Sequence, residues 1–328
     1  MTVKIVTDSA GDIPAEIAKA FDITIVPLYV QFGSKTFRDG VDIVPEQFFR
    51  MLDHDSVIPT TSTAAPYDFA ETYRRLHKDS DGIISIHISS KVSATYNAAC
   101  RGRDMLEEGK DKVEVVDSKL ATMGMGLLAI HAAKAAKEGQ NLPSILEQIA
   151  GIIPTIKVFG LLDTLKYVAR GGRLGKLGTL LGSVLPLKPL LTIKDGMVEP
   201  FGAVRTRTNG IERIFDLVKS CVNIKEVAIS HSSSEDEVKS FVDRLKTIIP
   251  EIKPTIAKLG PALGVHGGPG TFLVAVQQNI ESTSDIEGKH KKILSSLPSL
   301  QEIKENISQK IQRDSLRPFG YKFGPALS

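Results

Sequence analysis

Short runs rich in β-branched residues alternate with amphipathic stretches along most of this chain. That alternation limits the fold more than any other feature, because successive strands joined by helical crossovers build a mainly parallel sheet covered by helices. Residues 3–6, 23–30, 83–88 and 113–116 are the candidate strands of the first half. Between them, Phe69, Tyr73 and Leu76 share one face of a helix that opens at Pro66, and residues 123–138 form another, stopped by Gly139. The second half repeats the pattern less regularly, with candidate strands at 158–162, 190–194, 197–198, 227–231 and 272–276 and a tight hairpin turn at Asp195-Gly196. Ser234 and Glu237 have the spacing of a capping box, and Val238, Phe241, Val242 and Leu245 continue at helical intervals.

At ~150 residues per domain, a chain of 328 residues is long enough for two α/β domains, each with its own core. Gly151-Ile152-Ile153-Pro154 closes a helix ahead of a strand, which puts a boundary near Pro154 and divides the chain into residues 1–154 and 155–280. Beyond Ile280 the texture changes to Ser, Lys and Glu, with Leu300, Ile303, Ile307 and Ile311 at helical spacing. Residues 281–328 therefore read as an appended helical segment that packs on the second domain.

Several function classes are disfavoured. Forty-one Lys and Arg against 38 Asp and Glu leave a charge of +3 with no basic cluster, and there is no Trp, so nothing suggests a nucleic-acid partner. Cys100 and Cys221 stand alone, without a Cys-x-x-Cys pair, which gives neither a disulfide framework nor a zinc site. The start of the chain has no secretory pattern, and no apolar run reaches the ~18 residues of a membrane span. A cytoplasmic protein without membrane insertion is expected.

Ligands of open parallel sheets bind beyond the carboxyl ends of the strands. Three such ends carry oxygen-bearing side chains: Thr7-Asp8-Ser9, Ser89-Ser90-Lys91-Val92-Ser93 and Asp117-Ser118. Each could equally cap the helix that follows it. Pro59-Thr60-Thr61-Ser62-Thr63 is a further hydroxyl cluster, readable as a capped turn. In Gly260-Pro261-Ala262-Leu263-Gly264-Val265-His266-Gly267-Gly268-Pro269-Gly270, five glycines and two prolines surround one imidazole, the composition of a ligand loop. The other histidines, 54, 77, 87, 131, 231 and 290, read as structural. Ala169-Arg170-Gly171-Gly172-Arg173-Leu174-Gly175 could cradle an anion, but it lacks the P-loop pattern, and its arginines read as well as solvated loop charges.

Taken in order, Thr7-Asp8-Ser9-Ala10-Gly11-Asp12-Ile13, Phe37-Arg38-Asp39-Gly40-Val41-Asp42-Ile43, Pro59-Thr60-Thr61-Ser62, Ser89-Ser90-Lys91-Val92-Ser93-Ala94-Thr95-Tyr96, Arg170-Gly171-Gly172-Arg173 and His266-Gly267-Gly268-Pro269-Gly270 resemble the DegV family of fatty-acid-binding proteins, which includes the acyl-carrying subunits of bacterial fatty acid kinase. The likeness spans residues 1 to about 280. It implies one long-chain fatty acid held in a tunnel between an N-terminal and a C-terminal α/β domain, with no other cofactor and no metal. It further implies that Thr61 and Ser93 donate to the carboxyl oxygens, that Ser62 can substitute, and that His266 sits nearby. A separate ATP-dependent kinase subunit would phosphorylate the bound acid, which makes this chain a carrier and not the catalyst. Arg170 and Arg173 are candidates for facing the kinase or the developing phosphate. The chain departs from the family at Ala94, where Gly is usual and a methyl group could crowd the ligand head, and in the added residues 281–328.

Two rivals stand beside this reading. An acyl hydrolase would use Ser93 as nucleophile and His266 as base, but Ser93 lies in no Gly-x-Ser-x-Gly elbow and no acid is evident to orient His266. A DNA-associated regulator would need a basic run or a helix-turn-helix, and neither is visible.

Overall fold

The computed structural model describes residues 3–54, 57–173, 178 and 187–279. The helix expected within 281–328 lies outside the described residues, as does His290.

In chain order the first part runs β1 (Val3–Asp8), α1 (Ala15–Ala20), β2 (Ile23–Val26), β3 (Tyr29–Phe32), β4 (Lys35–Arg38), α2 (Pro45–His54), β5 (Thr60–Ser62), α3 (Pro66–His77), β6 (Gly82–His87), α4 (Thr95–Asp104), β7 (Val113–Asp117), α5 (Thr122–Lys137) and α6 (Leu142–Ile152). The second part runs β8 (Ile156–Leu161), α7 (Lys166–Arg170), β9 (Lys188–Lys194), β10 (Met197–Val204), α8 (Arg207–Ser220), β11 (Ile224–His231), α9 (Glu235–Ile248), β12 (Thr255–Lys258), α10 (Pro261–Gly267) and β13 (Phe272–Gln278).

The alternation of the first part forms a four-stranded parallel sheet in the order β2-β1-β6-β7. The expected strand at 23–30 is in fact two. Pro27 offers no N–H to a ladder, and the chain leaves the sheet after Val26 to re-pair as β3 in a small antiparallel sheet, β4-β3-β5. This small sheet carries Thr61 on its edge strand β5.

The second part forms a mixed sheet, β10-β9-β8-β13-β11-β12, in which only β11 and β12 pair in parallel. Asp195 and Gly196 both have positive φ, 49° and 81°, and make the tight turn between β9 and β10. Pro200 is accommodated on edge strand β10, where the register shifts before Gly202. Ser234 caps α9 through the Glu237 N–H. The other half of the expected capping box is missing, because the Glu237 carboxylate is bound by Arg207.

Helix α5 lies between the two large sheets, packing against β1, β2 and β6 on one side and β8, β11 and β13 on the other. Its small residues allow this. A Cβ on Gly126 would stand 2.6 Å from the Gly11 carbonyl oxygen, and one on Gly124 would stand 2.7 Å from Val158. One apolar cluster runs through α5 from Ile5 and Ile84 to Ala228 and Ala275.

A fully buried polar chain crosses the first sheet. Tyr73 donates to Ser85 Oγ (2.8 Å), Ser85 meets His87 Nε2 (2.7 Å), and His87 Nδ1 meets Asp8 Oδ2 (2.9 Å). The order Ser-His-Asp resembles a catalytic relay, but every member is buried and none lines the cavity described below. It is a saturated core network, which accords with a structural role for His87.

Candidate ligand-binding site

A cavity of ≈ 320 Å³ opens between the two sheets. That is at the small end of the roughly 300–1,000 Å³ typical of small-molecule sites. Most of its wall is apolar: Leu28, Ile88 and Val92 come from the first part, and Val158, Leu162, Leu191, Ile193 and Leu273 from the second. Thr61, Ser62, Ser93 and His266 are among the polar residues that line it. Ser62, Ala94 and Arg173 are exposed members of the lining, so the cavity reaches solvent.

Thr61 is placed by β5, and its Oγ1 lies 3.0 Å from His266 Nε2. This contact joins the two parts of the chain. Ser93 follows β6, with its N–H bonded to the Ser89 carbonyl. Its Oγ accepts the Thr95 N–H (3.3 Å) and lies 2.8 Å from Thr95 Oγ1. Ala94 has φ −79° and ψ 3°, a conformation open to any residue, so alanine costs the backbone nothing here.

His266 was expected in an irregular loop. Instead, Pro261–Gly267 is a short helix, because Pro261 takes the first helical position and the glycines let close neighbours approach. A Cβ on Gly264 would stand 2.6 Å from Phe48 of α2, and one on Gly171 would stand 2.1 Å from His266 Nδ1. The Arg170-Gly171-Gly172-Arg173 turn therefore presses its backbone onto the imidazole. Burial and the nearby Arg173 charge push the His266 pKa down to about 4, so the ring is neutral at pH 7. Its buried Nδ1 has no hydrogen-bond partner among the described residues.

The two arginines are not equivalent. Arg173 lines the cavity mouth and donates to the Gly171 carbonyl, whereas Arg170 is exposed at the end of α7 and is not part of the lining. Thr122 also lines the cavity. Its only sequence signal was its place shortly after the Asp117-Ser118 strand end.

The arrangement does not supply an acyl-transfer relay. His266 is bonded to Thr61 and not to Ser93, and among the described residues no carboxylate holds its Nδ1. Nor do the described residues contain a cluster of three or more His, Cys, Asp or Glu able to hold a metal. No helix among them is long and apolar enough to cross a membrane.

A family model described as "Uncharacterised protein, DegV family" matches residues 2–279. A DegV domain-containing protein of Caldanaerobacter subterraneus is 34% identical over 270 residues, covering 81% of this chain and 95% of the relative. Among solved structures, a DegV family protein from Thermus thermophilus, described for its fatty acid binding, aligns with a TM-score of 0.78 at 30% identity over 85% of this chain and 100% of its own. A stearic-acid-binding protein from Eubacterium ventriosum aligns with a TM-score of 0.78 at 26% identity, over 85% of this chain and 99% of its own.

Proposed function

Because this chain belongs to the DegV family, we propose that it binds one long-chain fatty acid, with the tail in the apolar cavity and the carboxylate at the hydroxyl end. The observation that carries this reading is the cavity itself, walled mostly by apolar side chains with Thr61, Ser62, Ser93 and His266 among its few polar ones. Burying ~14 methylenes at about 0.8 kcal/mol each gains roughly 11 kcal/mol before ordering costs, so the tail supplies most of the affinity. The head must then keep its hydrogen bonds, since a carboxylate removed from water without them costs several kcal/mol.

Thr61 and Ser93 are the donors in this reading, with Ser62 beside them. A neutral His266 that donates Nε2–H to Thr61 Oγ1 leaves the threonine proton free to turn toward a carboxylate oxygen. The head is then held by neutral groups, without the bidentate ion pair an arginine would make. A carboxyl group held in this way at a solvent-facing mouth is accessible to a phosphorylating partner. We accordingly read the chain as a carrier that presents its acid to a separate ATP-dependent kinase subunit. Arg173 at the mouth is the candidate for meeting phosphate charge there, and the exposed Arg170 for meeting the partner's surface.

Native mass spectrometry of the purified protein should reveal one bound acid. Thr61→Ala and Ser93→Ala should each weaken fatty-acid binding by about 5- to 150-fold, the equivalent of ~1–3 kcal/mol for an unmet buried acceptor. Failure of the wild type to retain or take up a fatty acid would overturn the proposal, and so would unchanged affinity in both variants.

A further inference from the structure

We propose that Asp12 and Asp39 are positioning residues that clamp the start of α10, and so hold His266 of the second part against Thr61 of the first. Both carboxylates come from the first part, and both reach across to the second. Asp12 Oδ1 accepts the Gly260 N–H (2.9 Å), and its Oδ2 accepts the hydroxyls of Ser230 (2.6 Å) and Thr122 (2.6 Å). Asp39 Oδ2 accepts the Ala262 N–H (3.3 Å) and the Ser9 hydroxyl (2.8 Å). Gly260 has no side chain with which to cap the helix it begins, so the caps are delivered from more than 200 positions away.

Three further observations single out this clamp from ordinary core polarity. Asp12 and Thr122, bonded to one another, both have left-handed backbones, with φ of 49° and 51°. Such residues are strained unless their surroundings hold them, and they cluster at functional sites. Gly260 is needed for proximity and not for its torsion, since a Cβ there would stand 3.1 Å from Asp12 Oδ1 and 3.4 Å from Asp39 Oδ2. Burial pushes Asp12 up to about 6 and Asp39 up to about 7; the Asp8 charge adds to both shifts and the Asp12 charge to that of Asp39. Two carboxylates are thus kept in the interior against their hydration, and what they grip is the helix that bears the imidazole.

The inference rests on the fatty-acid reading, and its test separates the two. Asp12→Asn, Asp39→Asn and Gly260→Ala would be compared with wild type and with Glu212→Gln, a surface control, by competition with a fluorescent fatty acid. In parallel, ¹⁵N NMR would follow the His266 imidazole, assigned by its loss in His266→Gln. The three variants should bind about tenfold more weakly or worse. The His266 nitrogens, fixed in one tautomer by Thr61 in the wild type, should move toward the averaged shifts of a free neutral ring, and Glu212→Gln should change neither readout. Gly260→Ala leaves both carboxylates in place, so it tests the clamp if an Asp variant fails to fold. If wild type binds fatty acid and the folded variants keep both its affinity and its His266 shifts, the clamp is refuted. Weak binding with unchanged His266 shifts would refute it too, and a wild type that binds no fatty acid would refute the proposed function instead.

Discussion

Replacing Gly171 by alanine is a sharp steric test of the proposed head-group end. Gly171 has φ −73°, so alanine suits its backbone, and the nearest obstacle among the described residues is the imidazole. The new Cβ would stand 2.1 Å from His266 Nδ1 and 2.7 Å from Cε1. Reaching an ordinary contact of about 3.4 Å requires the turn and the ring to part by roughly 1.3 Å. The ring is already bonded at 3.0 Å to Thr61 and cannot simply slide toward it, so it must tilt and lose that bond or force the turn away. Loss of the bond leaves the Thr61 hydroxyl without its orienting partner, which costs about 1–3 kcal/mol, or about 5- to 150-fold in affinity. Gly172→Ala is the matched control. Its Cβ meets nothing within 4 Å, but its φ of +70° makes alanine strained. That substitution should cost ~1–2 kcal/mol of stability while binding stays at the wild-type level. Fluorescent fatty-acid displacement and thermal melting measure the two effects separately. The reasoning fails if Gly171→Ala binds as tightly as wild type, or if Gly172→Ala weakens binding equally.

Two further predictions concern stability. Asp39 is held near 7 in the folded chain against a usual 3.8, so its contribution is full below about pH 4 and is lost as pH rises to about 7. Asn does not titrate, so the stability of Asp39→Asn relative to wild type should climb by up to about 4 kcal/mol between pH 4 and pH 8; a difference that stays flat in urea titrations would refute this. Arg207 ties Asp163, Glu237, Ser233 and the Gly270 carbonyl together with its side chain only 24% exposed. Arg207→Met should lower the unfolding free energy by on the order of 2 kcal/mol, less than for a fully buried pair because solvent screens part of it, and an unchanged denaturation midpoint would contradict that role.

What could be read from the sequence was what local pattern controls. The parallel strands of the first part, the Asp195-Gly196 turn and the helix after Ser234 follow from periodicity and turn chemistry, which act over a few residues. The strand break at Pro27 was missed because Ile25, Val26, Leu28 and Val30 read as one apolar run, although proline could not serve a central ladder. Helix α10 was hidden because glycines and prolines normally signal irregular chain, whereas here they admit Phe48 and two carboxylates. Of the residues expected from family likeness, Thr61, Ser62, Ser93, His266 and Arg173 line one cavity, and Arg170 lies outside its lining. The Asp12 and Asp39 contacts could not be read, since each carboxylate meets α10 more than 200 positions along the chain.

The placement of α5 has a last consequence. Helix α5 belongs to the first part, so the second sheet borrows its cover on one side and has an apolar cluster of its own besides. Severing the chain between the two parts would expose that side of the second sheet and the facing side of α5 to water. The molecule should therefore melt in a single cooperative step, and a ligand lodged beside this common spine would raise the stability of both sheets together.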